Sequence, residues 1–354
     1  MSDELTPERA AGAAEEAVVA TAHALHVAPS PHVASSENVT QIMLWVVAAL
    51  LPTAFWAVWN MGWVAAQLLL VCVASCLGTE FLWTTASRKP HTLWDCSALV
   101  TGILLAFALP PRTPWWIAAA AGIVAIGLGK MIFGGLGWNL FNPALVGRAV
   151  ALLSWLSVMA RVKPYPGGWY EGLSFAGTDS YDAISGATRL AVAAADRAAG
   201  GAYAFDLKEQ YVPLLFHNLQ GSLGEVSAAL IVAGGLLLVL KGIVDWRIPF
   251  GYLVTVVALS LVLGRDPIFY LLAGSVVLGA FFYATDYVTS PMTPGGRLVF
   301  GVGCGAVNTI TRFYGPAPDS VMFSILFMNG LAPLIDRAFQ PRTFGWPKRS
   351  AKDG

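Results

Sequence analysis

Apolar runs of bilayer length follow one another along most of the chain, and no other feature restricts its fold so tightly. About twenty such residues cross the hydrocarbon layer, and a helix is the form in which a single run satisfies its own backbone N–H and C=O groups there. Of the 354 residues, 56% are hydrophobic and only 12% are charged. That composition leaves too little polar surface to cover a soluble globule. The expectation is an all-α polytopic membrane protein with about ten transmembrane helices. They are expected at residues 42–59, 62–82, 94–110, 114–131, 142–160, 225–243, 248–264, 267–285, 297–311 and 318–337.

These runs divide the chain into an N-terminal tail (1–40), a first five-helix bundle (41–160), a polar loop (161–224), a second five-helix bundle (225–337) and a C-terminal tail (338–354). In the first tail, Thr6-Pro7-Glu8 supplies an N-cap, a proline for the first helical position and an acid for the first turn, which predicts a short helix. Glu4, Glu8, Glu15 and Glu16 make the tail acidic where a secretory signal would be basic, so the first apolar run is expected to remain as a span. Pro291, Pro294 and their neighbouring glycines predict a broken or re-entrant segment between 286 and 317.

Lysine and arginine near span ends set the orientation. One side collects Arg9, Arg88, Lys89, Lys130, Lys241, Arg247, Arg297, Arg337, Arg342, Lys348, Arg349 and Lys352, against Arg112, Arg265 and Arg312 on the other. Both termini are therefore expected in the cytoplasm and the loop 161–224 on the far side of an inner membrane, in the periplasm of a Gram-negative cell.

The 21 basic residues balance 21 acidic ones, so the chain has no electrostatic footprint for nucleic acid. Cys72, Cys76, Cys96 and Cys304 lack the C-x-x-C spacing of a zinc or iron–sulfur site. His23, His26, His32, His91 and His217 fall in the tail or near span ends, away from the interior positions of a bis-histidine haem. No metal is expected.

Four groups of residues carry the chemistry. In the polar loop, Asp182 precedes Ser185-Gly186-Ala187-Thr188. Ser185 suits an N-cap, and the free N–H groups of the turn it opens favour a phosphate, with Gly186 and Ala187 leaving it room. The same residues also describe a plain Ser-capped surface helix running to about Ala199. The second group, Gly134 to Ala144, joins a glycine-rich turn to Phe141-Asn142-Pro143-Ala144. Asn139 and Asn142 offer amide donors and acceptors suited to a heterocycle edge, while Asn142 and Pro143 equally make an N-cap and first helical residue. Third, Asp95 opens a span, either to complement its dipole or to face an ion pathway. Fourth, Asp286 precedes Thr289-Ser290-Pro291, with Asn308, Asn329 and Asp336 farther on; broken helices of this kind either coordinate a small cation or simply kink.

The Asp-x-x-Ser-Gly-Ala-Thr string resembles the site at which flavin mononucleotide (FMN) is joined through its phosphate to a threonine hydroxyl in the RnfD/NqrB family of redox-pump membrane subunits. The glycine-rich turn with Phe-Asn-Pro-Ala resembles the same family, as does Asp95-Cys96-Ser97-Ala98, where the family more often has glycine in the place of Cys96. The resemblance implies an inverted repeat of two five-helix bundles, covalent FMN on Thr188 and a second, non-covalent flavin, riboflavin or another, near Asn139 and Asn142. It also implies an ion pathway for Na+ or H+ through Asp95 and Asp286. The implied role is that of a membrane subunit in an ion-translocating NADH:ferredoxin oxidoreductase, an electron relay that is not catalytic alone. Without a Rossmann fingerprint, a Walker lysine or cluster cysteines, the chain would leave nicotinamide and iron–sulfur work to partner subunits, beside a periplasmic flavin subunit, other membrane subunits and a flavin-attaching transferase. A solute carrier or channel without redox function remains the alternative, because broken helices with amides near the midplane also describe carriers.

Overall fold

The computed structural model describes residues 38–159, 211–218, 221–314 and 319–340. The expected N-terminal helix at Thr6-Pro7-Glu8 and the whole Asp182, Ser185, Gly186, Ala187 and Thr188 group lie outside them. From Val39 onward the chain forms one unit. Regular structure among the described residues is helical throughout, as backbone groups without access to water require.

α1 (Val39–Met61) and α2 (Trp63–Ala86) are long, and only Gly62 separates them, at a φ of 61° that a residue with a Cβ rarely adopts. α3 (Ser97–Ala108) and α4 (Trp115–Ile126) follow, and α4 widens into a π turn at Gly127–Met131. α5 (Pro143–Ser154) and the single turn α6 (Leu156–Met159) close the N-terminal part. Beyond residue 210 come α7 (Tyr211–Phe216), α8 (Ala228–Leu240), α9 (Arg247–Val262), α10 (Pro267–Leu272) and α11 (Val276–Leu278), the last running into a second π turn at Gly279–Tyr283. α12 (Pro294–Tyr314) and α13 (Ser320–Ala338) end the fold. By length and composition, α1, α2 and α13 can each cross a membrane. The protein is a multi-pass membrane protein.

α2 packs on α3 and α4, and α4 on α5; α9 packs on α12, and α12 on α13. The two groups meet where α8 lies on α1 and α13 on α5. Two of these contacts depend on backbones that nearly touch. A methyl group at Gly147 would stand 2.5 Å from the Ala121 carbonyl oxygen, and one at Gly301 2.5 Å from that of Ile248. Such small-residue approaches maximise dispersion contact, the main source of helix association where lipid is as apolar as the side chains. Leu50, Phe107, Ile117, Tyr252 and Phe300 are buried in the interior, whereas Trp59, Trp115 and Trp246 stand exposed at helix ends, where an indole can sit among headgroups.

The structure departs from the expected span boundaries in instructive ways. The run expected as one span at 267–285 is interrupted, because Gly274 (φ 74°) and Ser275 (φ 58°) are left-handed and stop α10 before α11 begins. The run expected from 94 starts as a helix only at Ser97, after a 3-10 turn (Leu93–Asp95) and a left-handed Cys96 (φ 60°). The irregular segment expected within 286–317 is confined, among the described residues, to 284–293; Pro294 then occupies the first turn of α12, where its missing N–H costs nothing.

Candidate functional site

A cleft opens between the start of α3, the glycine-rich turn, the start of α5, α1, α8 and the segment from the second π turn to Tyr287. Its walls are mainly apolar, from Val46 and Leu104 to Phe281 and Phe282, and the polar residues among them are Ser97, Lys130, Asn139, Asn142, Thr285 and Asp286. Residues from the second, third and fourth sequence groups are thus brought together from widely separated parts of the chain.

The two asparagines divide the work. Asn142 Oδ1 accepts from the N–H groups of Ala144 (3.0 Å) and Leu145 (3.4 Å), capping α5, and its Nδ2 donates to the Tyr283 carbonyl at 3.2 Å. With its amide turned to satisfy both ends, Asn329 accepts from the Asn142 N–H (3.1 Å) and donates to Ile325 O (3.2 Å), tying α13 to the same point. Asn139 is different. Its Nδ2 makes one long bond to Phe141 O (3.4 Å), and its Oδ1 is buried without a partner. A buried acceptor left unpaired costs on the order of 1–3 kcal/mol, so a donor belongs beside it. An apolar slot with a few polar groups of this kind is the usual lining of a small-molecule site.

Behind the wall lies a buried ion pair that the apolar runs did not announce. Lys130 Nζ donates to Glu80 Oε1 and Oε2, both at 2.9 Å, and to Ser97 Oγ at 2.5 Å. Thr92 donates its hydroxyl to the same carboxylate, and Ser97 donates its own to Asp95 Oδ1 (2.6 Å), which also takes the Ser97 N–H (2.8 Å). Asp95 therefore takes the first N–H of α3 and joins a hydrogen-bonded chain that runs inward to Glu80. The π turn at Gly127–Met131 places Lys130 here. Its wider coil changes the side chain's direction, and a methyl at Gly129 would meet Pro143 Cα at 2.9 Å. One signal was available: Glu80 is the lone acid of an otherwise apolar run, and such an acid normally has a buried partner.

Across the cleft, Asp286 Oδ1 accepts from the Val288 N–H and its Oδ2 from the Thr289 hydroxyl, both at 3.3 Å. It sits in the turn beyond the π turn, where burial raises its carboxyl above the usual range against the lowering effect of those two bonds. Asp336 Oδ1 accepts from the Met292 N–H at 2.9 Å and lies outside the cleft lining, as does Asn308, whose buried amide atoms have no hydrogen-bond partner. Arg312, expected among the loop cations, is instead buried: it donates to the carbonyls of Tyr270 (2.8 Å), Ala273 (3.1 Å) and Gly274 (3.0 Å) and to Ser320 Oγ (3.2 Å), holding the break that precedes α11.

A sequence profile of the NQR2, RnfD, RnfE family matches residues 26–345. The D component of the Na+-translocating ferredoxin:NAD+ oxidoreductase complex of Acetobacterium woodii is 40% identical over 324 residues, covering 92% of this chain and 96% of that protein. The D component of an ion-translocating oxidoreductase complex of Stutzerimonas stutzeri is 42% identical over 328 residues, 87% of this chain and 93% of that protein. Its counterpart in the proton-translocating ferredoxin:NAD+ oxidoreductase complex of Clostridium ljungdahlii is 37% identical over 332 residues, 90% and 96% respectively.

Proposed function

Because this chain belongs to the NQR2, RnfD, RnfE family, we propose that it is the D-type membrane component of an ion-translocating ferredoxin:NAD+ oxidoreductase complex and relays electrons through flavin. The observation that carries the reading is the cleft with the unpaired Asn139 Oδ1, walled in part by two of the sequence groups that share the family pattern, the glycine-rich turn with Asn142 and the start of α3 at Ser97. A bound flavin supplies one- and two-electron chemistry, and the chain supplies position, electrostatics and exclusion of water.

In this reading the cleft holds a non-covalent flavin, riboflavin or another, with Asn139 on its polar edge. Asn142 fixes the wall by capping α5 and gripping Tyr283. Thr188 carries FMN as a phosphoester in the periplasmic loop, with Ser185, Gly186 and Ala187 around the phosphate and Asp182 orienting the hydroxyl. A flavin-attaching transferase makes that bond. Asp95 and Asp286 serve the pathway of Na+ or H+, from positions near and in the cleft. Partner subunits contribute the nicotinamide site, the iron–sulfur clusters, a periplasmic flavin and further membrane helices.

The complex sits in a bacterial inner membrane with both termini of this chain cytoplasmic and ten helices arranged as an inverted repeat. Two matching breaks support the repeat: left-handed Cys96 before α3 and left-handed Ser275 before α11, each pinned by a buried cation, Lys130 and Arg312, from near the end of a later helix. The test is direct. The purified complex is denatured and run on a gel under ultraviolet light; a fluorescent band for this chain that darkens in Thr188→Ala supports the covalent flavin, and a dark wild-type band refutes it. Non-covalent flavin released by this chain after its separation from the partner subunits reports on the cleft.

A further inference from the structure

The cleft is electrically lopsided. Lys130 lines it, while the carboxylate that balances Lys130 does not, since Glu80 is fully buried behind. Of the pair, the residue that borders the cavity is therefore the cation. The start of α5 lies in the same wall, with its first N–H groups capped by a neutral amide, so that its partial positive charge is not cancelled. The acids nearby are Asp95, which takes the Ser97 hydroxyl beside Lys130, and Asp286 on the far wall. All three ammonium hydrogens of Lys130 have acceptors, in Glu80 and Ser97, so the charge is held in place rather than free to follow its surroundings. A charge fixed in advance acts without reorganisation when charge develops nearby.

We propose that Lys130, anchored by Glu80 and Ser97, sets the reduction potential of the flavin in this cleft by stabilising the negative charge that one added electron brings. This rests on the reading that the cleft holds a flavin. One electron passes from a reduced iron–sulfur or flavin carrier of a partner subunit, which is oxidised by one unit; no bond breaks and no proton need move. The ammonium makes that transfer into the cleft more favourable, and Glu80 moderates the effect. Lys130 is a positioning residue in this role.

The experiment is a redox titration of the purified complex, following the flavin component that acid precipitation releases. Glu80→Gln removes the moderating charge and is expected to favour reduction about tenfold, which for a one-electron couple is about 59 mV upward. The double variant Glu80→Gln/Lys130→Gln keeps hydrogen-bonding groups but no charge, and is expected to move the potential below wild type. Lys130→Arg keeps the charge and should stay near wild type. The covalent flavin component should not move in any of them. Shifts of the same sign in Glu80→Gln and the double variant, or no shift in either, would overturn the proposal, as would a Lys130→Arg shift as large as that of the double variant. A wild-type complex with no releasable flavin would instead refute the premise that the cleft holds one, and the proposal with it.

Discussion

The side-chain amide of Asn142 donates to the main-chain carbonyl of Tyr283 at 3.2 Å, joining the first turn of α5 to the π turn 141 residues later. The same side chain caps α5, so one residue both starts a helix and fixes the separation of the cleft walls. Replacing an N-cap of this kind by alanine costs about 1 kcal/mol, and the stranded Tyr283 carbonyl adds to that. Asn142→Ala is expected to destabilise the protein by about 1–2 kcal/mol. Asn142→Ser retains the cap and should lose about half as much. Thermal denaturation in detergent checks the order; equal losses would mean that the cap contributes nothing.

The Glu80–Lys130 pair makes a sharper stability prediction. Breaking a buried pair leaves a charge without a partner and costs about 3–5 kcal/mol, whereas replacing both partners by apolar residues is often neutral. Glu80→Leu alone should therefore fold poorly, and Glu80→Leu/Lys130→Met should recover most of the loss. Folded yield and melting temperature in detergent read this out, and a double variant no better than the single would contradict it.

Cys96 adopts a left-handed backbone conformation, which costs a residue with a Cβ about 1–2 kcal/mol. Its thiol donates a long hydrogen bond, 3.8 Å, to Trp94 O, and its side chain packs against the edge of the apolar core. Cys96→Gly is accordingly expected to stabilise the protein by about 1 kcal/mol, measured by the same denaturation. A loss of stability would show that the thiol packing outweighs the backbone strain.

At the loop between α8 and α9, Asp245 accepts from Arg247 Nη1 (2.9 Å) and Arg297 Nη1 (2.8 Å). Burial alone would raise its carboxyl, but the Arg247 N–H and the two guanidinium groups outweigh burial and hold it below the usual range. A carboxyl with a lower pKa in the folded state than in the unfolded one stabilises the fold above its unfolded value, about 4, and that contribution disappears as pH falls through the folded value. Asp245→Asn should lower stability at neutral pH and flatten the acid side of the stability profile below about pH 4. An unchanged acid limb would contradict this.

Much of the fold is legible in the chain because membrane helices announce themselves by length: α1, α2 and α13 match the runs expected at 42–59, 62–82 and 318–337 to within a few residues. Asn142-Pro143 likewise marked the start of α5, since cap chemistry is local. The breaks were harder. A helix that is apolar all round gives no periodic signal for where it bends, and Gly274 before the left-handed Ser275 is one glycine among many in such runs. The candidate site was legible only in pieces. Asn139, Asn142 and Asp286 could each be named, but the Glu80–Lys130 pair depends on a π turn that brings together residues 50 apart, and hydropathy says nothing of such pairing.

A flavin phosphoester on Thr188 is read out by mass spectrometry of the tryptic peptide that contains Thr188, taken from the intact, active complex. The expected result is a peptide heavier by one FMN less one water, with the added mass located on Thr188 and lost in Thr188→Ala. An unmodified peptide recovered in full from an active complex would contradict it.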